Sequence, residues 1–279
     1  MFEESVKQPF SLLNDFYNSS LSFFFIKSGI NLKVNKWNNI YNNIFQPTNC
    51  KSLVVLPINL NNTWNINITK YIRDTTYLNK FVLGIFIGIL LGDASISVQK
   101  VGSNPRIRFK QSIINFPFFW TVFINLSHYI SKFPPHFEFT KVKDKKYGQI
   151  SFDTRAYPVL FFLYDLFIIN NKKCINFELF HYLDAVALAY WIMSDGTSNK
   201  YGLRLCTDSF TLSEVVLLIN ILKIKFDLNC TIHTLTSPKG IKYFRIYFKA
   251  DSMPKLIKLI SPYIIPFSSY KLDKIKRFN

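Results

Sequence analysis

The sequence predicts an α+β fold made of two copies of one unit, and three observations lead to that prediction. Two segments, one starting at Tyr147 and the other at Tyr243, align without a gap at an offset of 96 residues (243 − 147). Two apolar stretches each end on an isolated carboxylate, Asp93 and Asp195, at an offset of 102 residues (195 − 93). Between these points, alternating and helical patterns of polarity succeed one another in the same order. Each copy is therefore predicted to have the order αββαββα.

In the first copy, the apolar stretch that ends at Asp93 is predicted to be a helix. Four segments after it alternate apolar and polar residues, as half-buried strands do: 95–100, 106–112, 136–143 and 147–154. A second helix, beginning at the aromatic run 116–120, separates the second of these strands from the third.

In the second copy, the helix that ends at Asp195 is followed by predicted strands at 202–207, 230–235 and 243–250. Thr211 and Glu214 have the spacing of a capping box, which predicts the start of a helix between the first two strands. Ser252 followed by Pro254 marks another helix start.

The two carboxylate-ending helices carry stripes of small residues. Gly84, Gly88 and Gly92 recur every four residues and share one helix face, and Ala185 and Ala189 do the same in the second helix. Glycine inside a helix costs about 0.5–1 kcal/mol relative to alanine, and close backbone approach is the usual reason to keep it. We expect the two helices to pack face to face across a pseudo-twofold axis.

This packing places Asp93 and Asp195 side by side at one end of the helix pair. Two like charges near free helix-end carbonyls are unfavourable unless a cation lies between them. Hard oxygen ligands with room for water suit Mg²⁺. The sequence therefore predicts a Mg²⁺ site shared by the two aspartates.

Composition points to an anionic partner. The chain has 34 Lys and Arg against 17 Asp and Glu, a formal net charge of +17, spread through predicted strands and loops. This distribution favours nucleic acid over an anionic membrane surface. No span of about 20 apolar residues is present, so no membrane partner is predicted. The four cysteines form no C-x-x-C pair, which argues against zinc and disulfides.

The signature helices also resemble those of a known family. "FIGILLGDA" (86–94) and "LAYWIMSDG" (188–196) are similar to the two motifs of LAGLIDADG homing endonucleases, in particular the single-chain, two-motif members encoded by organellar introns. "FIINNKKCI", "TDSFTLSEV", "FDLNC" and "PYIIPFSSYKL" resemble further segments of that subgroup in the same order. Two positions depart from the motif: Ala94 replaces its final glycine, and Ser194 stands where some relatives carry a second acidic residue.

The resemblance implies a saddle of two antiparallel β-sheets over DNA, with the motif helices at the interface. It also implies six catalytic positions: two metal-binding aspartates, two basic active-site lysines and two polar residues near the metal, which fall on Asp93, Asp195, Lys173, Lys271, Gln111 and Asp208. The lysines lie 98 residues apart (271 − 173), which agrees with the repeat. Predicted domains are 1–76, of unknown role, 77–178 and 179–279.

Basic side chains of the predicted sheets are candidates for contact with DNA in the major groove, which a β-ribbon can enter. They are Lys100, Arg106, Arg108, Lys110, Lys141 and Lys143 in the first copy, and Lys200, Arg204, Lys242, Arg245 and Lys249 in the second.

The resemblance implies a monomeric, Mg²⁺-dependent, site-specific endonuclease that cuts double-stranded DNA and leaves 3′ overhangs. The alternative is an RNA maturase on the same scaffold, which binds its host intron RNA and assists splicing. A DNA-binding regulator without activity and a membrane-surface protein are weaker readings. The many residues with A/T-rich codons, together with the resemblance, predict synthesis and residence in the mitochondrion.

Overall fold

Two helices pack against each other, and each leads directly into the first strand of its own four-stranded sheet. The computed structural model describes residues 67–132, 135–142, 145–199 and 201–273, all within one unit of the chain. The predicted N-terminal region 1–76 lies outside the described residues except for its last ten positions.

The described α-helices alternate with pairs of strands along the chain. They are α1 (Lys70–Thr75), α2 (Lys80–Leu91), α3 (Phe116–Asn125), α4 (Leu160–Phe167), α5 (Leu179–Tyr182), α6 (Ala185–Asp195), α7 (Leu212–Phe226), α8 (Met253–Ile260) and α9 (Tyr270–Asp273). The capping box predicted for α7 is present, because the Thr211 side chain accepts from the Glu214 amide and Glu214 accepts from the Thr211 amide. Helix α8 begins at the predicted Ser-Pro signal.

Both sheets are antiparallel and have the same strand order. The first contains β1 (Ala94–Ser97), β2 (Arg106–Ser112), β3 (His136–Val142) and β4 (Lys145–Asp153), in the order β1-β2-β4-β3. A hairpin follows, formed by β5 (Ile168–Ile169) and β6 (Lys172–Lys173). The second sheet contains β7 (Gly196–Asn199), β8 (Gly202–Leu205), β9 (Cys230–Thr236) and β10 (Lys242–Phe248), in the order β7-β8-β10-β9. The predicted α+β fold with two pseudo-symmetric units is confirmed.

Aromatic side chains fix the helix layer of the first unit to its sheet. Phe109 of β2 and Phe152 of β4 lie 5.7 Å apart between ring centroids, and both contact Phe119 of α3 at 5.5–5.9 Å. All three rings are buried. The opposite face of the sheet is left to polar and charged side chains, as the alternation of β2 shows. None of the described helices has the length and hydrophobicity needed to cross a membrane.

The glycine stripe allows α2 and α6 to touch along their backbones. A Cβ atom added at Gly88 would lie 2.5 Å from the Ala187 carbonyl oxygen and 2.6 Å from Tyr190 Cβ. At Gly84 it would lie 2.8 Å from Val186 Cβ. The predicted face-to-face packing of the two motif helices is therefore present.

The contacting face of α6 differs from the expected one. The atoms nearest to the three glycines come from Asp184, Val186, Ala187, Tyr190, Trp191, Ser194 and Asp195, and none comes from Ala185 or Ala189. Each glycine contacts the residue 102 positions later in the chain, which is its equivalent in the other unit: Gly84 meets Val186, Gly88 meets Tyr190 and Gly92 meets Ser194. A pseudo-twofold axis requires this pairing, and the glycines make room for the larger partners.

We expect Gly88→Ala to lower the free energy of unfolding by about 1–2 kcal/mol. The added methyl group meets a backbone oxygen, which cannot rotate away, and overpacking of this kind costs about 1–3 kcal/mol, partly offset by the better helix propensity of alanine. Urea denaturation measures the change. Gly84→Ala, whose methyl group meets Val186 Cβ at the longer distance of 2.8 Å, should lose less. A Gly88→Ala protein as stable as the wild type would contradict the close packing.

Candidate active site

The carboxylate of Asp93 is held by side chains from both units. Asp93 follows α2 and is exposed to solvent. Its Oδ2 atom accepts hydrogen bonds from Gln111 Nε2 at 2.5 Å and from Ser194 Oγ at 2.6 Å. The Asp93 amide in turn donates to Ser194 Oγ at 3.2 Å. Gln111 belongs to the same unit, whereas Ser194 lies in the last turn of α6, so the ends of the two motif helices are joined directly.

Asp195 lies at the equivalent end of α6 and is less exposed. Its Oδ2 atom is 3.4 Å from the place where a Cβ atom on Gly92 would lie, so the carboxylate reaches towards the end of α2. Burial raises the pKa of Asp195 to about 7, and the charge of Asp93 adds to the rise. Asp195 lines an open cleft of about 460 Å³ together with Ser194, Thr197, Tyr270 and Lys271. The two predicted aspartates are thus neighbours that repel each other.

Lys173 is positioned by the β5–β6 hairpin. The turn passes through Asn170 and Asn171, whose φ angles of 50° and 59° are those that a two-residue type I′ turn requires. The Lys173 ammonium donates to the carbonyl oxygens of Gly92 at 3.2 Å and Ala94 at 3.4 Å. The lysine therefore lies at the C-terminal end of α2, where a cation is favoured by the helix dipole.

Lys271 occupies the equivalent place in the second unit. It belongs to α9, is buried, and donates to the carbonyl oxygens of Met193 at 2.6 Å, Ser194 at 3.2 Å and Ile192 at 3.3 Å. Burial lowers the pKa of both Lys173 and Lys271 to about 8, against the opposing influence of Asp195 and Asp93. Each motif helix thus ends with a carboxylate and a lysine from its own unit.

Gln111 and Asp208, which the sequence places in matching roles, behave differently. Gln111 is buried, contacts Asp93 and is itself held by Asn115 Nδ2 at 3.1 Å. Asp208 lies beyond the end of β8 and accepts a bidentate pair from Arg245, at 2.7 Å and 2.5 Å. These bonds lower the pKa of Asp208. Its charge raises the pKa of Asp195, but among the described residues it shares no hydrogen bond with that carboxylate.

The sequence candidates for DNA contact divide between the two faces of the sheets. In the first sheet, Arg106, Arg108 and Lys110 alternate with buried residues and share the outer face of β2. The strand register places Lys141 on the opposite face, beyond the end of the core. Two of the outer-face residues are paired with acids: Arg108 with Asp153 at 2.7 Å and Lys110 with Glu138 at 2.5 Å.

In the second sheet, Arg204 and Arg245 share the outer face with Tyr247, whereas the register places Lys242 on the inner one. Tyr247 stacks on His233 of the neighbouring strand, with centroids 4.4 Å apart.

The remaining basic candidates lie outside the strands. Lys100 is in the turn that joins β1 to β2, and Lys249 directly follows β10. Lys143 and Lys200 lie outside the described residues.

Sequence patterns leave three features unassigned: the contact between Ser194 and Asp93, the hairpin that carries Lys173, and strand β7. Ser194 was recognised as a departure from the motif, but its contact with Asp93 joins residues 101 positions apart and gives no local signal. The hairpin that carries Lys173 had a signal: two adjacent asparagines between residues suited to strands predict a type I′ turn. Strand β7 was also missed, although the repeat offset of 102 residues from β1 indicates it.

Two antiparallel sheets around a helix pair, with a carboxylate and a lysine at the end of each helix, define a homing-endonuclease fold. The chain belongs to the LAGLIDADG DNA endonuclease family, whose model matches residues 83–256. The structure is similar to that of the homing endonuclease I-WcaI bound to its DNA recognition sequence, with 30% identity and a TM-score of 0.64 over 71% of this chain and 88% of that one.

Two relatives of this chain carry different functional names. The cytochrome b mRNA maturase bI2 of Debaryomyces hansenii is 33% identical over 70% of this chain and 74% of its own. The intron-encoded endonuclease ai4 of Dictyostelium discoideum is 36% identical over 54% of this chain and 96% of its own. The family resemblance seen in the sequence is confirmed.

Proposed function

We propose that the protein is a site-specific, Mg²⁺-dependent endonuclease that cuts both strands of a DNA duplex and leaves 3′ overhangs. The observation that carries the proposal is the pair of carboxylate–lysine sets at the ends of α2 and α6: Asp93 with Lys173, and Asp195 with Lys271. Two equivalent sets beside one pseudo-twofold axis suit a substrate with two antiparallel strands. The relative I-WcaI, which is bound to its recognition sequence, supports duplex DNA as the partner.

The donor set at the helix ends fits a divalent cation. Asp93 and Asp195 supply hard carboxylate oxygens, and the raised pKa of Asp195, caused by burial and by the charge of Asp93, supports a cation between them. No cluster of three or more His, Cys, Asp or Glu side chains suited to a metal occurs in the described ranges, so phosphate and water oxygens would complete the coordination. When bound, the cation would activate water and stabilise the leaving 3′ oxygen.

Side chains around the two carboxylates orient the metal ligands and place positive charge near the phosphate. Gln111 and Ser194 fix the orientation of the Asp93 carboxylate. The ammonium groups of Lys173 and Lys271 lie beside the carboxylates and place positive charge where the attacked phosphate becomes more negative. The outer faces of the two sheets hold the duplex through phosphate and base contacts.

The decisive experiment is cleavage of a plasmid library that carries candidate intron-insertion sites. Wild-type protein is incubated with the library in Mg²⁺, in Ca²⁺ or in EDTA, and the double variant Asp93→Asn/Asp195→Asn controls for contaminating nucleases. We expect linear DNA with 3′ overhangs only with wild type and Mg²⁺. Tight binding of DNA without cleavage in any metal would overturn the proposed nuclease function.

The second candidate function is that of an RNA maturase, and the name of the Debaryomyces hansenii relative favours it. A maturase binds its host intron RNA and increases its rate of splicing. Precursor RNA that contains the host intron is spliced with and without the protein, and a structured RNA of equal length serves as the control. The same variants of Asp93 and Asp195 should splice normally if both functions are present, because splicing assistance uses binding alone.

We expect Arg106→Ala to weaken DNA binding at all sequences alike. Arg106 lies on the outer face of β2 and has no acidic partner within the described part of the chain, so it is free to neutralise a phosphate. The slope of log Kobs against log salt should fall in magnitude by about 1. Lys258→Ala, an exposed lysine on α8 that belongs to neither sheet, is the control. An unchanged slope for Arg106→Ala would remove this residue from the interface.

The proposal also covers organisation and location. Residues 77–178 and 179–279 form the two LAGLIDADG units of a monomer in this proposal. It assigns no role to residues 1–76. Residence in the mitochondrion, after synthesis there, is supported by the names of the relatives, which refer to cytochrome b mRNA and to introns.

A further inference from the structure

Ser194 makes the surroundings of the two motif carboxylates unequal. Its hydroxyl donates to Asp93 Oδ2 and accepts from the Asp93 amide, so it holds both the side chain and the backbone of this residue. The equivalent position in the first unit, 102 residues earlier (194 − 92), is Gly92, which has no hydroxyl to offer Asp195.

The other hydrogen-bond donor to Asp93, Gln111, also has no equivalent at Asp195 among the described residues. Gln111 also donates to Asp93 Oδ2, whereas Asp208, its counterpart in the sequence repeat, is engaged by Arg245. Within the described residues, no side chain donates a hydrogen bond to the Asp195 carboxylate. One carboxylate is thus fixed by two donors from two units, and the other is held by its backbone alone.

We propose that Ser194 is a positioning residue that preorganises Asp93 and thereby makes the two strand cleavages unequal in rate. The inference rests on the proposed nuclease function and adds that the two DNA strands are cut in a fixed order. Both hydrogen bonds go to Oδ2, so within the described residues Oδ1 of Asp93 accepts no side-chain hydrogen bond and is available to a cation. Groups that orient a metal ligand in this way change metal affinity or activity by about 10–100-fold when they are removed.

Although both carboxylates would hold the cation, the strand whose scissile phosphate lies on the Asp93 side is cut first, because Asp93 needs no reorganisation when the cation and DNA bind. That strand is defined by experiment as the one whose nicking is reduced more by Asp93→Asn than by Asp195→Asn. The close contact between Ser194 and Gly92 explains why only one of the two positions carries a side chain: a Cβ atom on Gly92 would lie 2.5 Å from Ser194 Oγ.

The test uses the full chain and the variant Ser194→Ala, which keeps the Cβ contact and removes the hydroxyl. Nicking of each strand is followed with end-labelled duplex, and binding of Mn²⁺ alone to the free protein is followed by electron paramagnetic resonance. The control is Ser261→Ala, a serine that donates to the Ile257 carbonyl at another helix end, away from the site. The swap Gly92→Ser/Ser194→Gly moves the hydroxyl to the other unit without adding volume.

We expect Ser194→Ala to lower the Mn²⁺ affinity about tenfold and to slow the Asp93-dependent strand about tenfold relative to the other strand. The swap should reverse which strand is cut first, and Ser261→Ala should match the wild type. A strand ratio within twofold of the wild type in Ser194→Ala overturns the inference. If wild type cuts no DNA, the nuclease proposal fails, and the Mn²⁺ affinity alone then decides the role of Ser194: a tenfold loss supports it and a change within twofold overturns it.

Discussion

Replacing Asp195 with asparagine is expected to abolish double-strand cleavage and, at the same time, to stabilise the metal-free protein at pH 8. Asp195 is one of the two carboxylates that would hold the cation, so its loss should reduce the rate by a factor of about 10³ or more. In the absence of metal the same charge is unfavourable, because it is buried and lies near Asp93. Activity and stability therefore oppose each other at this residue.

The pH dependence of the stabilisation distinguishes this explanation from others. The pKa of Asp195 is raised from 3.8 to about 7, so the folded protein keeps a proton that the unfolded chain releases at lower pH. Between about pH 4 and pH 7 the folded state binds more protons, and the stability of the wild type falls as the pH rises through this window. The gain from Asp195→Asn should be about 1–3 kcal/mol at pH 8, should fall to about a third of that value at pH 5, and should vanish only below about pH 4.

Thermal unfolding in EDTA at pH 5 and pH 8 measures this effect, and Asp93→Asn is the matched comparison. Asp93 is exposed and its carboxylate accepts two side-chain hydrogen bonds, so its replacement should remove double-strand cleavage without a gain in stability. An Asp195→Asn protein that cuts DNA at the wild-type rate, or that is equally stabilised at both pH values, would contradict the prediction.

The helix pair shows how far the sequence determines the fold. The four-residue spacing of Gly84, Gly88 and Gly92 identified the contacting face of α2, because glycine is retained in a helix where backbones meet. The face of α6 was predicted wrongly from Ala185 and Ala189, since alanine is common on any buried helix face. The offset of 102 residues contained the correct answer: a pseudo-twofold axis pairs Gly88 with Tyr190.

The site contains side-chain contacts that local sequence patterns cannot predict. The family resemblance implies a role near the metal for Asp208, and Arg245 is a candidate for DNA contact because it lies on a predicted basic strand. The structure joins them in one bidentate pair across 37 residues. Such a pair depends on the direction of two side chains near the end of β8, and alternation of polarity indicates only which face a residue occupies. The link between Ser194 and Asp93 is hidden for the same reason.

The lysines carry the last prediction, because each one both caps a helix and lies beside a carboxylate. Lys173→Met and Lys271→Met should each lower the cleavage rate by about 10²–10³-fold, since a positive charge near the reacting phosphate is lost. Both variants also lose hydrogen bonds to helix-end carbonyls, which should lower the free energy of unfolding by about 1–2 kcal/mol. A fall in rate alone would therefore not separate chemistry from folding.

Lys225 provides a control that separates the effect of a lost lysine on catalysis from its effect on folding. It donates to the carbonyl oxygens of Phe180 at 2.6 Å and His181 at 3.3 Å, at the end of α5, and burial lowers its pKa as it does for Lys271. It differs in having no motif aspartate beside it, so Lys225→Met should lose a similar amount of stability and keep the wild-type cleavage rate well below its melting temperature. Single-turnover rates and urea denaturation of the three variants give both quantities. If Lys225→Met and Lys271→Met slow cleavage equally, the buried lysines act by capping helices, and the charge beside Asp195 has no part in the reaction.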